Sequence, residues 1–498
     1  MTESDQGPDK PAQPGQPGQP GQHGGRRRVP RPQAKGLRIG RLARAAPLVA
    51  ATGRTAGETV VAALRGRDRS EVHARSAERY AEALGRSRGV LMKAGQILSF
   101  VSLGAPGPGG GPNVYQAALT RLQDDAPPME PGVAEAVVAA ELGAPPEELF
   151  AHFEPVPMAA ASIGQVHAAR TKDGREIVVK VQYPGVDQAI RADLANSELL
   201  ATFFQLVRNM LPDLGRSDAK ALAREVSERI GEEIDYATEA ANQQAFADAY
   251  RDHPFIRIPE VLPEFSTPRV LTMTRSDGMR FAKAVTAEQD LRDRWGEAIY
   301  RFTLGSLRGL RMFNADPHPG NYLFHDDGTV TFLDFGCVKR FTRHQVDWMR
   351  DSVTYSLAGD AEALLRQQFS EGFADRADPP DAASLLAWSR ESLKPLLSPQ
   401  PFRYTPEFAA SLVDLEFSPV GGNAETVKKM ALPPAYLTIS RIDLGMTSVL
   451  GALGATSDWE SIRREWDCDE EPVTPMGQLD KPFRQARPVF QHHPVGRD

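Results

Sequence analysis

The chain changes its hydrophobic period several times, and each change marks a different kind of element. Apolar residues at Tyr80, Leu84, Leu91, Ala94, Leu98 and Val101 recur at three- and four-residue steps or their multiples, which is one face of a helix over 76–101. Two shorter helices are predicted at 130–142 and 145–153, parted by Gly143-Ala-Pro-Pro146 and preceded by a Gly/Pro-rich connector at 104–112. At 162–170 and 175–182 the runs become short and β-branched, and Lys172-Asp173-Gly174 between them predicts a hairpin. On its second strand Ile177, Val179 and Val181 share one face, and Val178, Lys180 and Gln182 the other. Long helical segments follow at 188–209 and 218–250, then strands at 256–262 and 269–274, then a break at Arg275-Ser-Asp-Gly278. Beyond it the pattern is mainly helical, at 295–313, 343–357, 361–371 and 432–453. This order predicts an α+β architecture, a small antiparallel sheet followed by a helical part.

Composition sets limits on that picture. Of 498 residues, 41% are hydrophobic and 25% charged, enough for an ample core and for two or three domains. Residues 1–35, rich in Pro, Gly and Gln, have too few apolar groups to offset the entropy of ordering and read as a disordered tail. The polar, Pro-containing stretch 467–498 is read the same way. No apolar run approaches the roughly 20 residues that cross a bilayer, and residues 1–35 lack the apolar centre of a signal peptide. A cytoplasmic protein is therefore expected. Cys337 and Cys468 are far apart, form neither a disulfide framework nor a zinc pattern, and fit a reducing compartment. Formal charge is −7, yet residues 1–75 carry 14 Lys and Arg against 6 Asp and Glu. The basic, partly amphipathic segment 37–65 is a candidate for peripheral contact with an anionic membrane surface, the plainer alternative being a solvated arm. Nucleic acid is not an expected partner, because the basic region lacks interleaved aromatics and the rest of the chain is acidic.

The candidate chemistry lies within residues 312–337. Asp316 is followed five residues later by Asn321, and an apolar, β-prone run then ends in Asp334-Phe-Gly336. A carboxylate, an amide and a second carboxylate in that order form the phosphotransfer half of a kinase site. The first takes or orients a hydroxyl proton, and the other two hold Mg²⁺ against the phosphates of ATP. Lys180, on the second hairpin strand, occupies the place from which a kinase lysine contacts the α- and β-phosphates. Its alternative role is an edge charge that blocks aggregation. Where a kinase carries a Gly-rich cover, this chain has Ala159, Ala160, Ala161 and Ser162. Alanine permits fewer backbone conformations than glycine, which predicts a stiffer lid with altered nucleotide preference. The crossing at 275–278 is expected to meet the adenine, with Thr274 and Asp277 as contact candidates.

Three further signatures stand upstream: Lys93-Ala-Gly-Gln96, the segment from Ala159 to His167, and Glu233-Ile-Asp-Tyr-Ala-Thr-Glu239. With the two downstream motifs, they make the chain resemble the UbiB/AarF family of atypical kinase-like proteins from about residue 75 to 466. The resemblance implies a two-lobed, protein-kinase-like fold with a helical N-terminal extension. It divides the chain into a tail (1–35), the extension (36–150), an N-lobe (151–278), a C-lobe (279–466) and a C-terminal tail (467–498). It also implies that Glu239 pairs with Lys180, and that Lys93 and Gln96 belong to an extension covering the cleft. Glu233 and Asp235 would face that extension, within bonding reach of Lys93. Asn314 stands where the family often has His, and an amide there can brace the loop by hydrogen bonding. The implied activity is that of an atypical kinase or ATPase using ATP and Mg²⁺, in isoprenoid-quinone or other lipid metabolism, with a lipid or quinone-precursor ligand. Two alternatives remain open: a nucleotide-gated, non-catalytic regulator or lipid chaperone, and a small-molecule phosphotransferase of the aminoglycoside or choline kinase type.

Overall fold

The computed structural model of the chain describes residues 129–491, apart from 162, 195–230, 232–233, 316, 418–422, 432 and 434–435. The expected tail at 1–35, the extension as far as 128 with Lys93 and Gln96, and Ser162, Glu233 and Asp316 lie outside the described residues. So do parts of the helices expected at 188–209 and 218–250.

The small sheet follows from the period-two runs. Strands β1 (His152–Phe153), β2 (Ala159–Ala161), β3 (Gly164–Arg170) and β4 (Glu176–Gln182) come first. The β3–β4 hairpin pairs Gly164 with Gln182 through to Arg170 with Glu176, as the turn chemistry predicts. Ile177, Val179 and Val181 on β4 are fully buried against Val137 and Val138 of helix α1 (Val133–Leu142) and against Phe150. Alternation then leaves Lys180 on the opposite face, which is the face that matters for the site. Helix α2 (Tyr236–Ala249) and strands β5 (Ile256–Arg257) and β6 (Val270–Thr274) follow, with β6 pairing antiparallel to β4 and completing a five-stranded sheet.

The helical part is built around α3 (Gln289–Gly305), whose Trp295, Ile299 and Phe302 enter the main core. Its last turn widens over Ser306–Leu310 and stops at Arg311, a left-handed residue with φ of 52°. Strand β7 (Met312–Asn314) follows, so the helix expected to run to residue 313 ends earlier and its final residues are extended. Strands β8 (Tyr322–Phe324) and β9 (Val330–Phe332) form a hairpin, joined on the β9 side by parallel β5. Strand β10 (Val338–Arg340) returns to pair with β7. Helices α4 (Arg343–Ala358), α5 (Ala361–Ser370), α6 (Ala382–Ser392), α7 (Pro406–Phe417), α8 (Leu437–Leu453) and α9 (Trp459–Asp467) complete this part. Thr342 and Gln345 form a reciprocal capping box at the start of α4. Among the described residues, no helix is long and apolar enough to cross a membrane.

Further expectations need correction. The helix expected over 145–153 is a single turn, Pro146–Leu149, and His152–Phe153 form strand β1. The helix expected across 218–250 is broken at Ile234–Asp235: Asp235 has extended backbone, and its carboxylate caps α2 by accepting from Ala237 N at 3.0 Å. It is thus not one helical turn before Glu239 on a common face. The stretch 467–498 is also not uniformly disordered, because Pro475–Gln485 forms helix α10 and Phe490 beyond it is buried.

What orders α10 is a buried ionic cluster. Arg301 of α3 is only 1% exposed and bonds Glu297 at 2.8 Å, both oxygens of Glu465 at 2.7 and 2.8 Å, and Asp480 of α10 at 3.2 Å. Asp480 also meets His253 at 3.1 Å. Burial works to raise the Asp480 carboxyl, but its bond to His253 and the charges of Arg301 and Arg484 outweigh it and hold the group below its ordinary range. Burial lowers His253, against the pull of Asp480.

Removing the central guanidinium leaves several acids buried without their counter-charge. Arg301→Ala is therefore expected to lower the unfolding free energy by about 3–5 kcal/mol, read by urea denaturation at pH 7. For wild type the signs of the two shifts agree. His253 stays neutral in the folded chain, so stability falls as pH drops below its ordinary 6.5. The contribution of Asp480 is present above its ordinary 3.8 and is lost as pH falls below it.

Candidate active site

Three segments meet at the ammonium of Lys180. It donates to both oxygens of Glu239, at 2.7 and 2.8 Å, and lies 3.7 Å from Oδ2 of Asp334. It also stands 4.9 Å from the ring centroid of Tyr236, close enough for a cation–π contact. Burial opposes a charge here, but Asp334 and Glu239 outweigh it and hold Lys180 well above its ordinary range. The lysine is therefore a permanent cation. Glu239 sits in the first turn of α2, where the unpaired amides of a helix start favour a carboxylate. The Asp235 cap fixes where that turn begins, so Asp235 acts on the site through the helix.

Asp334 leaves the end of β9 in a tightly held loop. Its carbonyl accepts from the Asn314 side chain at 2.5 Å, the bracing expected of an amide at that position. Its Oδ1 accepts from Gly336 N at 2.9 Å, which fixes the plane of the carboxylate. A methyl group on Gly336 would come within 3.3 Å of that oxygen and 3.5 Å of Glu239 Oε2, so glycine lets the two acids approach. Phe335 between them is fully buried, its ring 4.9 Å from that of Phe246 on α2, and its carbonyl accepts from Asn242 at 3.3 Å. Asn321 is carried by a short turn over Pro319–Asn321, and its carbonyl accepts from Leu333 N at 3.0 Å. The residue before Asp334 is thus tied to Asn321.

The remaining candidates separate from this cluster. Ala159–Ala161 form β2, paired to β3 with Ala160 opposite Gln165, so the alanine segment is a ladder-held strand with Ala160 exposed. Thr274 spends its hydroxyl on Glu260 N, and Asp277 has an exposed carboxylate paired with Arg275 at 3.0 Å. Neither side chain joins the Lys180 group. Sequence reasoning overlooked Tyr236 and Asn242, whose helical spacing resembled any other part of a helix.

A lysine clamped by a helix acid, beside a loop carboxylate and an amide, can orient a phosphate chain and hold a hard cation. Residues 121–368 match the ABC1 atypical kinase-like domain. The mitochondrial atypical kinase COQ8 of Saccharomyces cerevisiae is 33% identical over 297 residues, 59% of this chain and 57% of that one. The chloroplastic protein Activity of BC1 Complex Kinase 8 of Arabidopsis thaliana is 38% identical over 230 residues, 45% of this chain and 30% of that one. The chain thus spans about half the length, or less, of these curated relatives. The structure of Rv3197 from Mycobacterium tuberculosis, solved with erythromycin, is similar at a TM-score of 0.57 and 29% identity, covering 82% of this chain and 98% of that one. The matched domain contains Lys180, Glu239, Asp316, Asn321 and Asp334, and through it the chain belongs to the UbiB/AarF family of atypical kinase-like proteins.

Proposed function

We propose that this chain binds ATP with Mg²⁺ and catalyses phosphoryl transfer or ATP hydrolysis. The observation that carries this reading is the Lys180 ammonium held by Glu239 and set 3.7 Å from Asp334. Glu239 fixes the direction of the lysine, so that phosphate oxygens meet an already oriented cation. Asp334 and Asn321 supply one carboxylate and one amide, hard oxygen donors that suit Mg²⁺, an ion that keeps its other positions for water and phosphate. When bound, Mg²⁺ neutralises charge on the phosphates. Asp316, by its place in the sequence, takes or orients the proton of the attacking hydroxyl or water. The ladder-held Ala159–Ala161 strand restricts the cover over the nucleotide. Lys93 and Gln96 are assigned on family membership to an extension that limits access to the cleft, and Glu233 is assigned to the face that meets it. A role in isoprenoid-quinone or other lipid metabolism, with membrane contact through 37–65, rests on the same ground.

Two variants separate binding from chemistry. Lys180→Ala removes the phosphate contact, and the rise in melting temperature on adding Mg-ATP is expected to shrink or vanish. At about 100-fold excess over Kd that stabilisation is roughly 2.7 kcal/mol. A rise equal to that of wild type would contradict the lysine's role.

Asp334→Asn is expected to abolish the Mg²⁺ dependence of nucleotide binding while circular dichroism stays unchanged. Asp316→Asn should leave nucleotide affinity near wild type and lower turnover by about 10²-fold or more. Turnover of purified protein, with and without anionic liposomes, reads the difference. Turnover indifferent to Asp316→Asn would favour a non-catalytic, nucleotide-gated protein.

A further inference from the structure

The helical part encloses a cavity of about 360 Å³ whose walls do not include Lys180, Glu239 or Asp334. Phe313, Trp348, Leu385, Trp388, Tyr436 and Met446 supply much of its surface. A space of that size lined by aromatic and aliphatic groups suits the body of a small hydrophobic molecule. Part of the wall comes from α6, α8 and α9, beyond the 121–368 match.

One charged group on that wall has no partner among the described residues. Asp443 of α8 lines the cavity, and no hydrogen bond or ion pair reaches its carboxylate from the described residues. Burial alone pushes it up to about 6. The two arginines on the wall have acids of their own: Arg308 bonds Asp467 at 2.7 Å, keeping Nη1 without a partner among the described residues, and Arg463 bonds Glu460 at 2.6 Å and Asp467 at 3.2 Å. Tyr300 and Tyr404 also line the cavity, burial raises both phenols, and the charge of Asp443 adds to it. Asp443 is half-buried, and a carboxylate partly withdrawn from water without a donor among the described residues is costly, so a purely structural wall gains nothing from it.

We propose that this cavity is a binding site for a hydrophobic amine, with the protonated nitrogen against Asp443 and the apolar body among Trp348, Trp388 and Met446. The ammonium supplies the missing counter-charge, and the surrounding aromatic faces attract the same cation. A neutral molecule of equal size would leave the carboxylate unpaired. A fatty acid would bring a second carboxylate to the wall that already carries Asp443. The site is separate from the nucleotide site and does not depend on how that site is read.

The test is calorimetric titration of the full chain with N,N-dimethyldecylamine, decan-1-ol and decanoate, each below its micellar concentration. In wild type at pH 7.5 the amine is expected to bind about tenfold or more tightly than the alcohol, with decanoate weakest. Asp443→Asn should abolish that preference and leave decanol affinity unchanged, which also reports that the cavity is intact. At pH 5 the wild-type preference should shrink, because Asp443 becomes mostly protonated while the amine, Arg308, Arg463, Tyr300 and Tyr404 keep their charge states. This second arm needs no variant. Equal binding of amine and alcohol at pH 7.5, or a preference that survives both Asp443→Asn and pH 5, overturns the proposal.

Discussion

Lys180 stays charged in a nearly dry place because two acids from two other segments meet it there. Burial by itself disfavours an ammonium, and the balance is reversed by Asp334 and Glu239. That balance links three elements that have little else in common: β4 supplies the cation, α2 one carboxylate, and the loop after β9 the other. Each needs its own support. The buried face of β4 anchors the strand, the Asp235 cap sets the first turn of α2, and Asn314 with Gly336 holds the loop. The pair contributes its geometry more than its energy, since attraction between buried charges is largely offset by the loss of water.

The parts of this arrangement that depend on neighbours in sequence were legible beforehand. Alternation along β4 put Lys180 opposite Ile177, Val179 and Val181, and the Lys-Asp-Gly turn predicted the hairpin that carries it. Asn314 could be read as a brace because it stands where the resembling family often has His, and an amide can make the same kind of hydrogen bond. Other features depend on which hydrogen bond wins. Asp235 has the right spacing to sit on a helix with Glu239, but a short acid beside unpaired amides caps a helix more readily than it extends one. The widened turn at Ser306–Leu310 is likewise invisible in an apolar pattern that continues smoothly to residue 313.

Charge inside the protein was the least legible feature. The region after residue 467 is polar and contains prolines, and composition alone suits a solvated tail. Its acids and arginines instead enter the core: Asp480 and Arg484 lie one turn apart on α10 and meet Arg301, Glu465 and His253 there. Asp443 is the converse case. It sits in the helix Leu437–Leu453, and only the packing of distant segments shows that no cation among the described residues pairs with it.

Strand β7 is three residues long, and successive side chains on a strand point to opposite sides. Phe313 faces the cavity that contains Asp443, while Asn314 reaches the carbonyl of Asp334. The two chambers therefore have a common wall a single strand thick. Among the described residues β10 is the ladder partner of β7, and Phe313 packs in one apolar cluster with Phe341, Trp348 and Tyr436. Phe313 and Asn314 are consecutive on that strand, so the ring that lines the cavity and the amide that holds the Asp334 loop are set by one stretch of backbone.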